Sequence, residues 1–152
     1  MLRHDATGAA AYARRHGAWL VGFNTNGIIS PGQCKLGGIG GDDPAAVYHP
    51  GRIGVVSRSG GMSADRNGSS GGLAVAVSTV VSMGGDRTTD ALWSSIWSSS
   101  MPVIYGEPGT RHEQGVADAI AAGRITKPVV AIVVGEFQDA TARALASVTL
   151  LR

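Results

Sequence analysis

Apolar residues in this chain gather into short blocks broken by glycine, serine and threonine. From residue 52 onward, runs rich in β-branched residues fall at 53–57, 73–83, 102–105 and 129–134, with crossovers at 62–70, 88–97 and 111–122 between them. A strand with one wet face alternates apolar and polar positions, whereas near-continuous apolar runs joined by crossovers belong to a parallel sheet covered on both faces. A last apolar piece at 147–151, after a helix over 139–146, adds an edge strand. The pattern predicts an α/β chain with a doubly wound, mostly parallel five-stranded sheet.

Ahead of the sheet, Asp5 or Thr7 caps a helix through Ala9 to His16, and Gly17 ends it in a left-handed turn. Residues 19–21 read as a short strand. The stretch 22–50 is rich in glycine, holds Pro31, Pro44 and Pro50, and has no sustained periodicity, so it reads as a long loop of the kind that is functional or ordered by a partner. Residues 1–50 are thus a helix, a short strand and a loop, and residues 51–152 the sheet domain, in one compact unit. Two crossovers are poor helices. Asn67-Gly68-Ser69-Ser70-Gly71-Gly72 carries glycines that each cost about 1 kcal/mol relative to alanine. The stretch 90–100 is serine-rich, with Leu92, Trp93, Ile96 and Trp97 as its apolar set; the two indoles share a face that packs in the core or meets a partner.

Composition narrows the function classes. With 152 residues and a formal charge of +2, the chain scatters its basic residues, Arg14-Arg15 being the one adjacent pair, so no stripe for nucleic acid forms. A lone cysteine, Cys34, excludes an intrachain disulfide and a cysteine metal cage, and it reads as a packed loop thiol. His4, His16 and His49 have no metal-ligand spacing. The amino terminus lacks a signal-peptide core, and the longest apolar run, 128–134, is too short to span a bilayer, which points to a soluble cytoplasmic protein. Twenty-three glycines and only 16% charged residues imply surface hidden in a homo-oligomer or against a partner subunit. The alanine-, glycine- and arginine-rich usage fits a bacterium with GC-rich DNA.

Candidate chemistry starts at Ile53-Gly54-Val55-Val56-Ser57-Arg58-Ser59-Gly60-Gly61-Met62-Ser63, where an apolar run breaks into a turn of hydroxyls and glycines. If a helix follows, converging N–H groups make an anion site there. Gly84-Gly85-Asp86 and Gly106-Glu107-Pro108-Gly109 also follow strands, and in a doubly wound sheet ligands bind outside the carboxyl ends of the strands. One such turn alone is explained by glycine's permissive backbone; three on one edge make a site. Glu107 is a carboxylate at the mouth of a buried strand, suited to acid–base work or to a salt bridge with Arg111 or Arg58. Arg58 supplies a fixed charge for a carboxylate or phosphate, or points to solvent. His112, in the first turn of the next helix, is titratable near neutral pH and is otherwise a surface residue.

These blocks resemble a known family. Gly22-Phe23-Asn24-Thr25-Asn26-Gly27-Ile28-Ile29-Ser30-Pro31-Gly32-Gln33-Cys34-Lys35, the 53–63 run, Met83-Gly84-Gly85-Asp86, Gly106-Glu107-Pro108-Gly109 and Thr126-Lys127-Pro128-Val129-Val130 stand in the order found in the carboxyl-terminal, flavodoxin-like domain of the succinyl-CoA synthetase alpha subunit. The citrate- and acetate-specific CoA ligases share that fold. The resemblance implies a flavodoxin-like strand order, a turn (Ser57, Ser59, Gly60) that receives a phosphoryl group, a Glu107 that orients an imidazole, and CoA as the bound cofactor. Gly61, Gly84, Gly85, Phe23 and Asn24 join Ser57 to Gly60 as anion- or substrate-binding positions.

The chain also departs from that family. A phosphorylated histidine in a Gly-His-Ala-Gly segment is expected after residue 135, where Glu136-Phe137-Gln138-Asp139-Ala140 stands instead. Only residues 5–22 match the end of the family's CoA-binding domain, the crossover from Asp86 to Glu107 is shortened, and Phe23 replaces a proline. The leading expectation is a protein of this family recruited as a small enzyme that acts on a carboxylate or acyl-CoA, with Glu107 and either Asp86 or His112 in proton transfer. The alternatives are a module of an ADP-forming acid–CoA ligase working with separate CoA-binding and ATP-grasp chains, and a non-catalytic binding subunit.

Overall fold

The computed structural model describes residues 3–60, 75–84, 101–107, 112–134 and 147–151. Helix α1 (Arg3–Arg15) is followed by strands β1 (Gly27–Ser30) and β2 (Cys34–Leu36), a single helical turn α2 (Pro44–Val47), and strands β3 (Tyr48–Ser57), β4 (Val75–Ser82) and β5 (Met101–Gly106). Helix α3 (His112–Ala121), β6 (Val129–Val133) and β7 (Ser147–Leu151) complete the described chain.

One sheet holds every described strand, in the order β2-β1-β4-β3-β5-β6-β7. β3 is parallel to β4 and β5, β5 is parallel to β6, and β7 closes the far edge antiparallel to β6. Taken alone, β3 to β7 run in the 2-1-3-4-5 order of the flavodoxin-like fold. Neighbouring residues on single strands feed different clusters, as strand alternation demands. Val56, Val81 and Ile104 pack with Val116 of α3, while Val55, Val80 and Ile29 pack with Tyr48 and Ile39. Both faces of the central sheet are therefore covered, which is why its strands read as unbroken apolar runs.

The expected strands recur within a few residues of their predicted bounds, as do the edge strand and the helix near 111–122. Three expectations change. Residues 19–21 form no strand, and Trp19 is 60% exposed. The stretch 22–50 is not a loop throughout. Pro31 and Gly32, the latter at φ 75°, turn the chain between β1 and β2, and the Gln33 N–H donates to the Ser30 carbonyl across 3.0 Å, the signature of a type II turn. β1 then extends the sheet antiparallel to β4, giving seven strands among the described residues where five were expected. Finally, β3 begins at Tyr48, five residues before its apolar run. Pro50 is tolerated because β3 pairs only with β4 at that point, through a bulge, and meets β5 from Ile53 onward.

Helix ends follow local chemistry. Gly17, at φ 64°, ends α1 as expected, although the helix starts at Arg3, so Asp5 and Thr7 lie inside it. Asp43 caps α2 by accepting from the Ala46 N–H at 3.3 Å, with Pro44 opening the turn. The crossovers at 61–74 and 85–100, the Trp93 and Trp97 pair, and the helix expected at 139–146 lie outside the described residues.

The core makes a direct forecast. Ile104 is 2% exposed at the centre of the sheet, and Ile104→Ala is expected to lower unfolding free energy by about 2–5 kcal/mol. Leu36, 65% exposed on the edge strand, is expected to change it by less than about 0.5 kcal/mol when replaced by alanine. Urea denaturation of both variants checks the contrast.

Candidate functional site

Parallel pairing brings the carboxyl ends of the three central strands level. Ser57 is in register with Ser82 of β4 on one side and with Tyr105 of β5 on the other. The ladder continues one step past the strand: the Met83 N–H donates to the Ser57 carbonyl at 2.8 Å, and the Arg58 N–H to the Tyr105 carbonyl at 3.1 Å. The turns after β3, β4 and β5 therefore open on one edge, as expected.

The turn after β3 is held from within and from both flanks. Ser57 is 1% exposed, and its hydroxyl donates to the Ser59 carbonyl at 2.7 Å, so its proton is directed into the turn. Asn26 Nδ2 donates to the Gly60 carbonyl at 3.1 Å, while the Asn26 N–H reaches the buried Ser82 hydroxyl at 3.3 Å. Thr25 Oγ1 donates to the Ser82 carbonyl and accepts the Gly27 N–H at 2.9 Å. The segment ahead of β1 thus straps the ends of β3 and β4 together. Gly84, at φ 72°, lies so close to the Asn24 carbonyl that a side chain there has no room.

On the β5 side stands an arrangement centred on Arg58. The residue is 5% exposed, which excludes the solvent-pointing reading. Its Nη1 donates to the Glu107 carbonyl and lies 3.9 Å from Glu113 Oε1. The same Glu113 oxygen accepts the Glu107 N–H at 3.2 Å. Burying a guanidinium is costly unless it is paired and hydrogen-bonded, and the Glu107 carbonyl and Glu113 are the partners of its Nη1. The salt bridge expected between Arg58 and Glu107 is replaced by one with Glu113; Glu107 is engaged through its backbone on both sides. The Glu107 carboxylate has no hydrogen bond or ion pair among the described residues. Gly106 makes the arrangement possible, since a Cβ there would stand 2.7 Å from Glu113 Oε1 and 2.8 Å from its Cγ.

Other expected site residues distribute unevenly. Phe23 and Asn24 are exposed beside this edge. Met83, which opens the third family block, is fully buried in the core against Val56 and Ile104 and so lines no open site. His112 opens α3, and its side chain lies outside the described residues, as do Gly61, Gly85, Asp86 and Arg111. No cluster of His, Cys, Asp and Glu suited to a metal occurs among the described residues. No described helix is long and apolar enough to cross a membrane.

An open apolar cleft of about 290 Å³ lies at the other end of β3, lined by Ile29, Pro31, Cys34, Pro44, Tyr48 and Pro50. Burial raises the Tyr48 phenol above its ordinary pKa, so it stays protonated. This cleft lies at the far end of β3 from Ser57, roughly 23 Å along the β4 residues that pair with the two ends of β3, and takes no part in the edge site.

Glu113, Asn26 and Thr25 are the positions that reading the sequence missed. Glu113 left a faint signal, an acidic residue in the first turn of a helix. Asn26 and Thr25 left none beyond their place in the first family block.

Fold and edge together define an α/β domain with its polar groups collected at the carboxyl ends of a flavodoxin-like sheet. No family model matches the chain. Among curated proteins it is 36% identical over 139 residues to succinate–CoA ligase (ADP-forming) subunit alpha 2 of Archaeoglobus fulgidus, covering 87% of this chain and 46% of that protein. It is 33% identical over 142 residues to the ADP-forming sulfoacetate-CoA ligase subunit SauD of Bilophila wadsworthia, covering 87% and 47%. With ATP-citrate synthase beta chain protein 1 of Arabidopsis thaliana it shares 32% over 142 residues, covering 86% and 23%. Among solved structures, ATP citrate lyase from Methanothrix soehngenii in complex with citrate and coenzyme A superposes with a TM-score of 0.68 at 27% identity, over 90% of this chain and 24% of that one. The chain belongs to the CoA-ligase family and carries the flavodoxin-like domain of the succinyl-CoA synthetase alpha type. It spans less than half the length of each of these relatives.

The contact between Gly106 and Glu113 yields a test by coupling. Gly106→Ala is expected to destabilise the fold by about 1–3 kcal/mol through overpacking. In Gly106→Ala/Glu113→Ala the two effects should be non-additive, because the second change removes the atoms the new methyl strikes. Thermal melts of the two single variants and the double variant measure it.

Proposed function

We propose that this protein is a CoA-ligase relative recruited to bind a small carboxylate or acyl-CoA at the carboxyl edge of its sheet, with Glu107 as the acid–base group. The observation that carries this reading is the Arg58 link: the anion-type turn at 57–60 and the backbone of Glu107 are tied to each other, so a ligand seated on the turn is presented to that carboxylate. Asp86 and His112 are its proposed companions in proton transfer. Ser59 and Gly60, both half-buried, Gly61 and Gly85 from the adjoining turns, and Phe23 and Asn24 beside the edge supply the proposed binding surface.

The chemistry of the edge favours the acid end of an acyl-CoA over its nucleotide end. Arg58, the arginine described there, is already engaged with Glu113 and the Glu107 carbonyl, which leaves neutral donors of the turn, the Ser59 hydroxyl among them, for the ligand. Such donors suit one carboxylate or phosphoryl group; a pyrophosphate calls for mobile cations as well. A carboxylate fixed by its own backbone, within hydrogen-bond reach of a bound ligand, contributes to proton transfer without waiting for a loop to close.

A second reading has its own support. The relatives from Archaeoglobus fulgidus and Bilophila wadsworthia are named as ligase subunits, and this chain has no Gly-His-Ala-Gly segment after residue 135. Acting as a module of an acid–CoA ligase, it would take the phosphoryl carrier, the CoA-binding domain and the ATP-grasp domain from other chains.

Calorimetric titration with succinate, citrate, phosphate and CoA tests the site, and deuterium incorporation from heavy water into the bound acid or acyl-CoA tests the chemistry. Expected are binding of at least one carboxylate, and exchange slowed about 100-fold or more in Glu107→Gln with affinity held within a few-fold. Absence of binding by all four overturns both readings. Binding without exchange, together with copurification of an ATP-grasp chain, replaces the recruited enzyme by the ligase module.

A further inference from the structure

Glu113 belongs to none of the turns that define the edge, yet its side chain touches two of them. One oxygen accepts the Glu107 N–H at 3.2 Å and stands 3.9 Å from the Arg58 guanidinium, which in turn donates to the Glu107 carbonyl. The peptide groups on both sides of Glu107 are thereby occupied, one by Glu113 directly and one by the arginine that Glu113 neutralises. The side chain is only 23% exposed and lies over Gly106, where no other residue leaves it room. A surface acid serving only helix α3 gains nothing from such a placement. Favourable charge at a helix start needs no contact with the preceding strand.

We propose that Glu113 is a positioning residue: it fixes the backbone from which the Glu107 carboxylate projects and, through Arg58, couples that carboxylate to the 57–60 turn. As a role in catalysis this rests on the acid–base reading of Glu107; as a clamp on the Glu107 peptide it stands independently. Glu107 follows the last residue of β5, and its N–H faces the β3 side as Tyr105 does; the last backbone bond there among the described residues runs from the Arg58 N–H to the Tyr105 carbonyl, one step short of the Glu107 N–H. Glu113 supplies the missing acceptor.

Three variants divide the possibilities. Glu113→Gln keeps the oxygen that accepts the Glu107 N–H but loses the charge facing Arg58; Glu113→Asp keeps the charge but falls one carbon short; Glu113→Ala removes both. Amide hydrogen exchange followed by NMR needs no ligand and no turnover. The Glu107 amide is expected to exchange about tenfold faster in the Asp and Ala variants and near the parent rate in the Gln variant, while Ile104 and Tyr105 in the same strand stay slow. A Glu107 amide unmoved in Glu113→Asp overturns the clamp, as does an equal acceleration along all of β5, which reports global loosening. Should Glu113→Ala fail to fold, the Gln and Asp pair decides alone.

The catalytic role is read from deuterium exchange into whichever carboxylate binds. Glu113→Asp is expected to slow that exchange about tenfold or more with affinity within threefold, and Glu113→Gln to recover most of the rate. Equal losses of rate and affinity would make Glu113 a merely structural residue. If the parent shows no exchange, the acid–base reading fails while the amide result still judges the clamp.

Discussion

β3 is bonded along both edges, to β4 and to β5, and both partners run parallel to it. Parallel strands all stop at the same edge, so this pairing collects every strand-to-crossover turn of the central sheet on one side of the molecule. Register then sets the heights: Ser57, Ser82 and Tyr105 share a level, and whatever follows them is forced into proximity. Both faces of these strands are largely covered by apolar packing, with the Ser30–Thr79 hydroxyl pair as a polar exception inside the sheet, and the remaining polar groups of the site stand where the strands end.

That collection creates an electrostatic problem. Arg58 follows immediately on the buried end of β3, where its guanidinium is nearly removed from water. An unpaired charge in that place would cost several kcal/mol. Glu113, brought from a helix five residues beyond Glu107, and the Glu107 carbonyl supply the countercharge and the acceptor. The solution demands a gap at Gly106, and it engages the arginine's charge from within the protein. On the other flank the same edge is closed with neutral groups. Thr25, Asn26 and Ser82 bond one another and the Gly60 carbonyl, so the turn is held between an ionic brace and a hydroxyl–amide brace.

Much of this was legible in advance, and the parts that were not share a cause. The central strands are legible because burial on both faces leaves an unbroken apolar signature, and the shared edge follows from the crossovers alone. β1 and β2 are not, because a four-residue and a three-residue strand carry too little pattern to stand out among glycines; the Ile28-Ile29 pair before Pro31-Gly32 was the usable sign. Pro50 hid the start of β3, since proline argues against a central strand, and the unpaired β5 side that permits it is a tertiary fact. The same distinction divides the site. Glu107 and the 57–60 turn announce themselves by type and position, whereas Glu113 and Asn26 matter only through what the fold places against them.

The braces also bear on the ligands proposed for this edge. A ligand site whose arginine is free can select a dianion by a bidentate contact worth several times a neutral hydrogen bond. Here the Nη1 of that guanidinium is engaged from within, by the Glu107 carbonyl and by Glu113, so in the proposed site its charge is already shared with the protein. The turn and the Glu107 peptide are held by internal bonds, which lowers the ordering cost for any ligand the proposed site takes. Divergence of function on this fold therefore needs no new scaffold. It needs only a change in which side chains occupy the rim of an edge whose supports are already internal.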